Sequence, residues 1–447
     1  MSMKTSYKQI FTVSLPIMLG SATQNIIFLS DNVFLYNYDQ LDFAAVGLVG
    51  AFYLIIASIG FGFSRGGQIL MARKYGEKSL NLIGKYFQSL IFFELAMASV
   101  IFVLIQYFAE PLFKALLESD EILSRCLVYL KYRSYGIFFS FVGVSLIALY
   151  TGVARNIFIL FDTVLLAVSN IVLNYIFIFG KFGIEPMGIK GAAIASTLAE
   201  ALAFVAFAIY IYYDKENRPY KLFNFSKLSW ASIKTNFEIS FPILAQSVLS
   251  IGSYFLFFTW IENRSQEELK ISNLIRNVYL ILSIPSWGYS TGINTIVSYF
   301  IGKSKRQAVG PMTIKTSLLN IFTTVLFAAP ILIFPTFFLS PLYGGEAGIL
   351  MIEKAKPLML LLIPILALYS IGSIYHNSII GTGHTKTALW LQAIVTILYL
   401  IYCFIVIKVL NLSLMVAWSG EFIYWGVLLL LSILYLNSNK WFLKKIF

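Results

Sequence analysis

Twelve long apolar runs dominate the sequence and restrict its fold more than any other feature. A helix needs about 20 mostly apolar residues to cross the hydrocarbon of a bilayer. Only 12% of the 447 residues are charged, against about 25% in a soluble domain, so a soluble enzyme is excluded. The runs predict an all-α membrane protein with twelve transmembrane helices, near residues 10–36, 43–64, 82–108, 128–151, 157–180, 188–213, 236–260, 271–299, 313–338, 350–377, 387–410 and 413–436.

The loop charges orient these helices. With both termini on one side, that side carries 20 Lys and Arg residues and the opposite side 9. The positive-inside rule therefore predicts cytoplasmic termini in a multi-pass protein of the bacterial or archaeal inner membrane. The net charge of +12 is dispersed over short loop clusters, so no nucleic-acid partner is expected. Cys126 and Cys403 lie far apart in apolar runs, which favours neither a disulfide nor a thiolate metal site.

The sequence contains an internal repeat. Residues 13–19, Val-Ser-Leu-Pro-Ile-Met-Leu, return 226 residues later as 239–245, Ile-Ser-Phe-Pro-Ile-Leu-Ala. The same offset aligns the glycine-rich stretch 62–68 with 288–294. Six spans in each half make the repeats parallel, related by a pseudo-two-fold axis along the membrane normal. Pro16 and Pro242 are repeat mates inside spans, where proline bends a helix.

The repeat predicts two six-helix bundles with a polar linker between them. The expected divisions are an N-terminal bundle at 1–213, a cytoplasmic linker at 214–232 and a C-terminal bundle at 233–447. Two facing bundles leave a cleft that rocking exposes to each side in turn, which is typical of a transporter and favoured over a channel or receptor scaffold.

Polar residues break the repeat in the first half. Asn170 and Asn174 are four residues apart and so share a helix face, and Ser196 or Thr197 adds a hydroxyl. These oxygen atoms, together with the carboxylate of Asp31 in the first span, suit a hard monovalent cation, either Na⁺ or H⁺. Two alternatives stay open: Asp31 is in contact with water at the membrane interface, or the two amides only form hydrogen bonds between helices. The polar positions Asp31, Asn170 and Asn174 correspond to the apolar Phe257, Ile397 and Ile401.

Other intramembrane polar residues have less defined roles. Glu200 follows Ser196 by one helical turn, and it is predicted, with Gln24 and Tyr369, to relay protons or contact substrate. For Glu94 and Glu421 a structural role and a functional role are equally open. The sequence has no Gly-x-x-x-x-Gly-Lys-Ser/Thr motif, so an ion gradient rather than ATP is expected to drive transport.

These motifs together resemble the multidrug and toxic compound extrusion (MATE) family over nearly the whole chain. The resemblance is carried by Pro16 with Asp31, by Asn170-Ile-Val-Leu-Asn174, by the small-residue run 188–196 and by Gly381-Thr-Gly-His-Thr-Lys386. It implies a V-shaped antiporter that exports cationic or amphipathic compounds against Na⁺ or H⁺. It also implies a cation site at Asp31, Asn170, Asn174 and Ser196 or Thr197, no other cofactor, and a monomer that contacts only small-molecule substrates and the lipid bilayer.

Departures from the family pattern narrow this prediction. Many members carry an acid where this chain has Asn174, and some carry acids on the seventh and tenth spans, where Ser250 and Tyr369 stand here. A cation site confined to the first half is therefore expected. The alternative function is a lipid-linked oligosaccharide flippase of the same superfamily, which should line its cleft with Arg and Lys. A membrane-embedded enzyme is disfavoured because no catalytic group of residues is apparent from the spacing.

Overall fold

The computed structural model describes residues 3, 5–117, 119–224, 229–341, 343, 345–438 and 440–443, and it contains α-helices and short 3-10 and π segments but no strands within these ranges. The α-helices of the described chain are α1 (Tyr7–Tyr36), α2 (Gln40–Gly76), α3 (Leu80–Leu116), α4 (Asp120–Arg133), α5 (Gly136–Gly152), α6 (Ile157–Phe179), α7 (Gly188–Tyr213), α8 (Trp230–Glu262), α9 (Gln266–Leu282), α10 (Ile284–Gly302), α11 (Val309–Ile333), α12 (Pro335–Leu339), α13 (Gly345–Thr382), α14 (Thr385–Phe404), α15 (Leu414–Trp418), α16 (Gly420–Asn437) and α17 (Lys440–Leu443).

Most of the predicted spans coincide with single long helices. Nine helices of the described chain are long and apolar enough to cross a membrane, and α4 and α5 together form a tenth. α1 coincides with the first predicted span, and the consecutive pair α9 and α10 coincides with the eighth. The second predicted span, 43–64, lies within α2, which runs on to Gly76 through the basic stretch that follows the apolar run in the sequence.

The fourth predicted span is not one continuous helix. α4 and α5 meet at a bend of 51°, and the described backbone between them consists of Ser134 and Tyr135. The sequence there has no proline, which is the usual signal for a break. The fourth predicted span, 128–151, is therefore a bent pair of helices that begins at Asp120, earlier than predicted.

The chain groups into two compact units, which we call the N-unit (Leu19–Ser240) and the C-unit (Met1–Met18 with Phe241–Phe447). α1 and α8 each contribute to both units, and each changes unit within three residues of its internal proline, Pro16 or Pro242. The predicted bundles at 1–213 and 233–447 remain a prediction about membrane topology. Of the predicted linker, 215–220 form a 3-10 helix, and residues 225–228 lie outside the described part.

Each unit has its own apolar core. In the N-unit the core includes Leu35, Val49, Ala98, Cys126 and Ile178, all fully buried. In the C-unit it includes fully buried Leu282, Ile352, Ile365, Val395 and Cys403. The helices that carry these residues also expose large apolar side chains on their other faces, which is the expected pattern for helices surrounded by lipid.

Within each unit, one close contact repeats with the internal symmetry. In the N-unit a Cβ atom added at Gly66 would lie 1.9 Å from Oγ of Ser240. In the C-unit a Cβ at Gly292 would lie 2.4 Å from Oγ of Ser14. Both pairs are related by the 226-residue offset that the sequence repeat shows. Glycine is required at Gly66, where the backbone Cα of Ser240 would lie 2.7 Å from an added Cβ; at Gly292 only the Ser14 hydroxyl lies closer than 3 Å.

Candidate functional site

The predicted cation-site residues meet inside the N-unit, on α1, α6 and α7. A tight connection positions the last two helices. α6 ends at Phe179 and is capped by Gly180, which has a φ of +67°, and the N–H of Met187 donates to the carbonyl of Phe177 at 2.9 Å. A Cβ at Gly191 would lie 2.7 Å from that same carbonyl. Small residues at the start of α7 therefore allow its backbone to approach α6 closely.

The polar side chains form a ring of hydrogen bonds. The Asn174 amide donates to Oδ1 of Asp31 and, at 3.1 Å, to Oδ1 of Asn170. The Asn170 amide donates to Oγ of Ser196 at 3.0 Å, and that hydroxyl approaches Oδ2 of Asp31 at 3.5 Å. All four residues are buried; Asp31 is 8% exposed and Asn174 is fully buried.

The ring supplies the ligands that a hard cation prefers. It brings together one carboxylate, two amide carbonyl oxygens and one hydroxyl, and hard monovalent and divalent cations bind such oxygen atoms. Oδ1 of Asn174 is buried and has no hydrogen-bond partner among the described residues. Rotating this amide by half a turn would point that oxygen at the carboxylate, where it can coordinate Na⁺ or accept a hydrogen bond from protonated Asp31.

An ion pair lies one turn further along α7. Arg133 donates from Nη1 and Nη2 to the two carboxylate oxygens of Glu200, at 2.7 and 2.5 Å. The guanidinium also stacks over the Tyr53 ring, 4.1 Å from its centroid, and it interacts electrostatically with Asp31. A bidentate pair of this kind is held in a fixed geometry. The charges of Arg133 and Glu200 cancel. An ionised Asp31 carboxylate therefore gives the ring and this ion pair together one net negative charge.

The other predicted residues whose side chains are described have partners of their own or lie outside the N-unit. The Thr197 hydroxyl donates to the carbonyl of Tyr132 at 3.1 Å, so Ser196 and not Thr197 reaches Asp31. Glu200 is engaged with Arg133 rather than free to relay protons. Tyr369 belongs to the C-unit and packs on Trp425 with ring centroids 4.4 Å apart. The Gln24 side chain lies outside the part of the chain whose side chains are described.

Arg133 was not among the predicted site residues. A signal was present, since the predicted spans and their ends contain few basic residues, and a charge at membrane depth indicates a partner. The partner, Glu200, is 67 residues away, and only the packing of α4 on α7 shows that the two residues meet.

Comparisons with known proteins identify the family. The MatE family model matches residues 16–176 and 242–405. A probable multidrug resistance protein NorM of Thermotoga maritima is 24% identical over 452 aligned residues, which cover 97% of this chain and 93% of that protein. A probable NorM of Neisseria meningitidis serogroup B is 29% identical over 52% of this chain and 51% of its own length.

Solved structures share the fold. A structure described as an outward-facing multidrug resistance MATE family transporter of the MOP superfamily has a TM-score of 0.89 at 19% identity, over 98% of this chain and 96% of its own. A MOP superfamily transporter from Pyrococcus furiosus has a TM-score of 0.88 at 18% identity, over 97% and 95%. These matches confirm the predicted fold of twelve helices in two bundles.

The fold and the family match together define a multi-pass membrane transporter. The chain belongs to the MatE family, and the predicted resemblance to MATE efflux antiporters is thereby confirmed.

Proposed function

We propose that this chain is a secondary antiporter that exports amphipathic or cationic small molecules across the inner membrane, driven by Na⁺ or H⁺. It acts as a monomer with cytoplasmic termini, has no enzymatic activity, and needs no cofactor besides the coupling ion. The names of its relatives, which denote multidrug resistance, support this choice of cargo. Family membership over both halves of the chain supports the antiport mechanism.

The single observation that carries the proposal is the Asp31 ring of the N-unit. A buried carboxylate costs free energy in a membrane unless a partner neutralises it, so an intramembrane acid is expected to have a function. Asp31 has only neutral hydrogen-bond partners, Asn174 and Ser196. Because the nearby Arg133–Glu200 pair is internally neutral, one monovalent cation balances the charge of the site.

This charge balance explains how ion and substrate exclude each other. When Asp31 is ionised, the N-unit has one net negative charge near the ring, which favours a cationic or polarisable substrate. When Na⁺ or H⁺ occupies the ring, that attraction is lost and substrate affinity falls. Two ligands that disfavour each other at equilibrium have a negative coupling free energy, which is what antiport requires.

The flippase alternative is not favoured. A lipid-linked oligosaccharide carries phosphates, and phosphate recognition needs Arg or Lys side chains that are free to donate hydrogen bonds. In the described N-unit, the buried Arg133 is committed to Glu200, and Arg125 to Asp39 and Asp42.

Efflux from proteoliposomes tests the proposal. The purified full chain is reconstituted into liposomes, which are loaded with ethidium or rhodamine 6G, both organic cations. A Na⁺ gradient and a pH gradient are then applied in separate experiments. We expect one gradient to drive efflux, Asp31→Asn to abolish it, and Glu110→Gln to leave it unchanged, since Glu110 is an exposed carboxylate on α3. Undiminished gradient-driven efflux by Asp31→Asn would contradict the proposal.

A further inference from the structure

A second buried carboxyl group lies in the N-unit and takes no part in the Asp31 ring. Glu94 is in the middle of α3 and is fully buried. The Ser64 hydroxyl donates to its Oε1 at 2.7 Å. Oε2 is buried and has no hydrogen-bond partner in the described part of the chain. Among the described residues, Oε1 therefore has a hydrogen-bond partner and Oε2 has none.

The surroundings of Glu94 contain no countercharge. Of the segments packed against α3, α2 contributes the Ser64 hydroxyl and α5 contributes the Phe141 ring near Gly60. No titratable or charged side chain from α2, α4, α5, α8 or the 3-10 helix at 215–220 interacts with Glu94 among the described residues; α8 packs on α3 through Phe237 and Asn236. An ionised carboxylate without a partner is strongly disfavoured in such a site. The group is therefore neutral here, which means that it carries a proton.

The internal repeat supplies a comparison for this group. The 226-residue offset pairs Glu94 with Asn320, and Gly60 with Ser286. In the C-unit the Ser286 hydroxyl donates to Oδ1 of Asn320 at 3.1 Å. Asn320 also accepts from Thr324 and donates to the carbonyl of Ser370 at 2.8 Å. Asn320, the counterpart of Glu94 in the C-unit, therefore has hydrogen-bond partners for both its amide oxygen and its amide nitrogen.

In its described part, the N-unit lacks a hydroxyl group that could form a hydrogen bond with Oε2 of Glu94. Gly60 stands where the other half has Ser286, and a Cβ there would lie 3.4 Å from Oε2 of Glu94. The glycine thus leaves Oε2 without the hydroxyl that its counterpart has. A carboxyl oxygen without a fixed partner can take its hydrogen bond from a transient one, such as a water molecule that brings or removes a proton.

We propose that Glu94 is a proton-binding site of this transporter, separate from the coupling-ion site at Asp31, and that its proton exchanges with solvent. The ligand is a proton and not Na⁺, because Ser64 is the only other oxygen donor that the described residues supply, and Na⁺ requires several. This inference stands independently of the proposed function, since it concerns neither the coupling ion nor the cargo.

Infrared spectroscopy of the full chain in lipid bilayers tests this site directly. A protonated carboxyl group has a carbonyl band separate from that of carboxylates, and the band shifts to lower frequency when deuterium replaces the proton. We expect Glu94→Gln to remove one such band, Asp31→Asn to retain it, and transfer to D2O to shift it. Spectra in which Glu94→Gln removes no band, or a Glu94 band that does not shift in D2O, would overturn the proposal.

A second variant guards against misfolding of Glu94→Gln. Ser64→Ala removes only the hydrogen bond to the carbonyl oxygen, which should raise the frequency of the same band without abolishing it. A Ser64→Ala spectrum identical to that of the wild type would also contradict the assignment to Glu94. Efflux driven through Asp31 can fail or succeed without changing either result.

Discussion

Asn174 donates its side-chain amide to the carboxylate of Asp31 across 143 residues of sequence. This bond joins α6 to α1 and makes the amide, rather than a second acid, the immediate neighbour of the only carboxylate in the ring. We expect the number of ions bound per transport cycle to depend on whether residue 174 is an amide or a second acid.

Asn174→Asp should increase the number of coupling ions. Two carboxylates sharing one site cannot both remain ionised without cations, so the variant should take up a second Na⁺ or H⁺. We expect the ratio of ions to substrate in proteoliposomes to rise from one to two. Asn174→Ala, which adds no charge, is the matched control and should not raise it. An unchanged ratio in Asn174→Asp would show that this position does not set the stoichiometry.

The Arg133–Glu200 pair should stabilise the N-unit only when both partners are present. Glu200→Gln leaves a buried guanidinium without its counterion, which costs about 3–5 kcal/mol. Adding Arg133→Met removes that charge and should restore most of the lost thermal stability in detergent. Additive losses in the double variant would mean that the two residues do not interact. Arg133 and Glu200 would then not neutralise each other beside the Asp31 ring.

The two repeated glycine contacts should differ in how well they tolerate a methyl group. Gly66→Ala places Cβ against the backbone of Ser240, and overpacking of this kind costs about 1–3 kcal/mol. Gly292→Ala should cost less, because the obstructing atom there is the Ser14 hydroxyl, which can rotate away. Gly143→Ala is the control, since a Cβ at Gly143 meets nothing within 4 Å. Equal thermal stability of all three alanine variants would contradict the described packing.

Asp39 should contribute to the acid sensitivity of the fold. It caps α2, where the N–H groups of Asp42 and Leu41 and then the Arg125 guanidinium hold the pKa of Asp39 below its usual value of 3.8. A lowered folded-state pKa means that the stabilisation is complete above pH 3.8 and is lost as the pH falls through the lower value. Asp39→Asn keeps a good cap but cannot titrate.

The acid branch of a thermal-stability curve measures this contribution. Melting temperatures of wild type and Asp39→Asn in detergent should converge as the pH falls below about 4, with the wild type the more stable at neutral pH. Glu110→Gln, an exposed carboxylate variant, should follow the wild type at every pH. Parallel curves for wild type and Asp39→Asn would show that the cap does not titrate with folding.

The membrane spans were predictable because each needs a long apolar run, and such runs are visible without knowledge of the fold. Asp31, Asn170 and Asn174 were predictable because the repeat shows apolar residues at the matching positions. Ser196 could not be separated from Thr197, since that choice depends on the rotation of α7 about its axis. The bend between α4 and α5 was not predictable because no proline marks it.

We propose that Asp31 makes ion and substrate binding mutually exclusive, and equilibrium binding measurements in detergent can establish whether it does. The Kd of ethidium is measured at several pH values and Na⁺ concentrations, for wild type and for Asp31→Asn. We predict that the wild-type Kd increases with the concentration of one of these cations, and that the Kd of Asp31→Asn is independent of both. A variant Kd that still increases with H⁺ or Na⁺ as in the wild type would contradict the account.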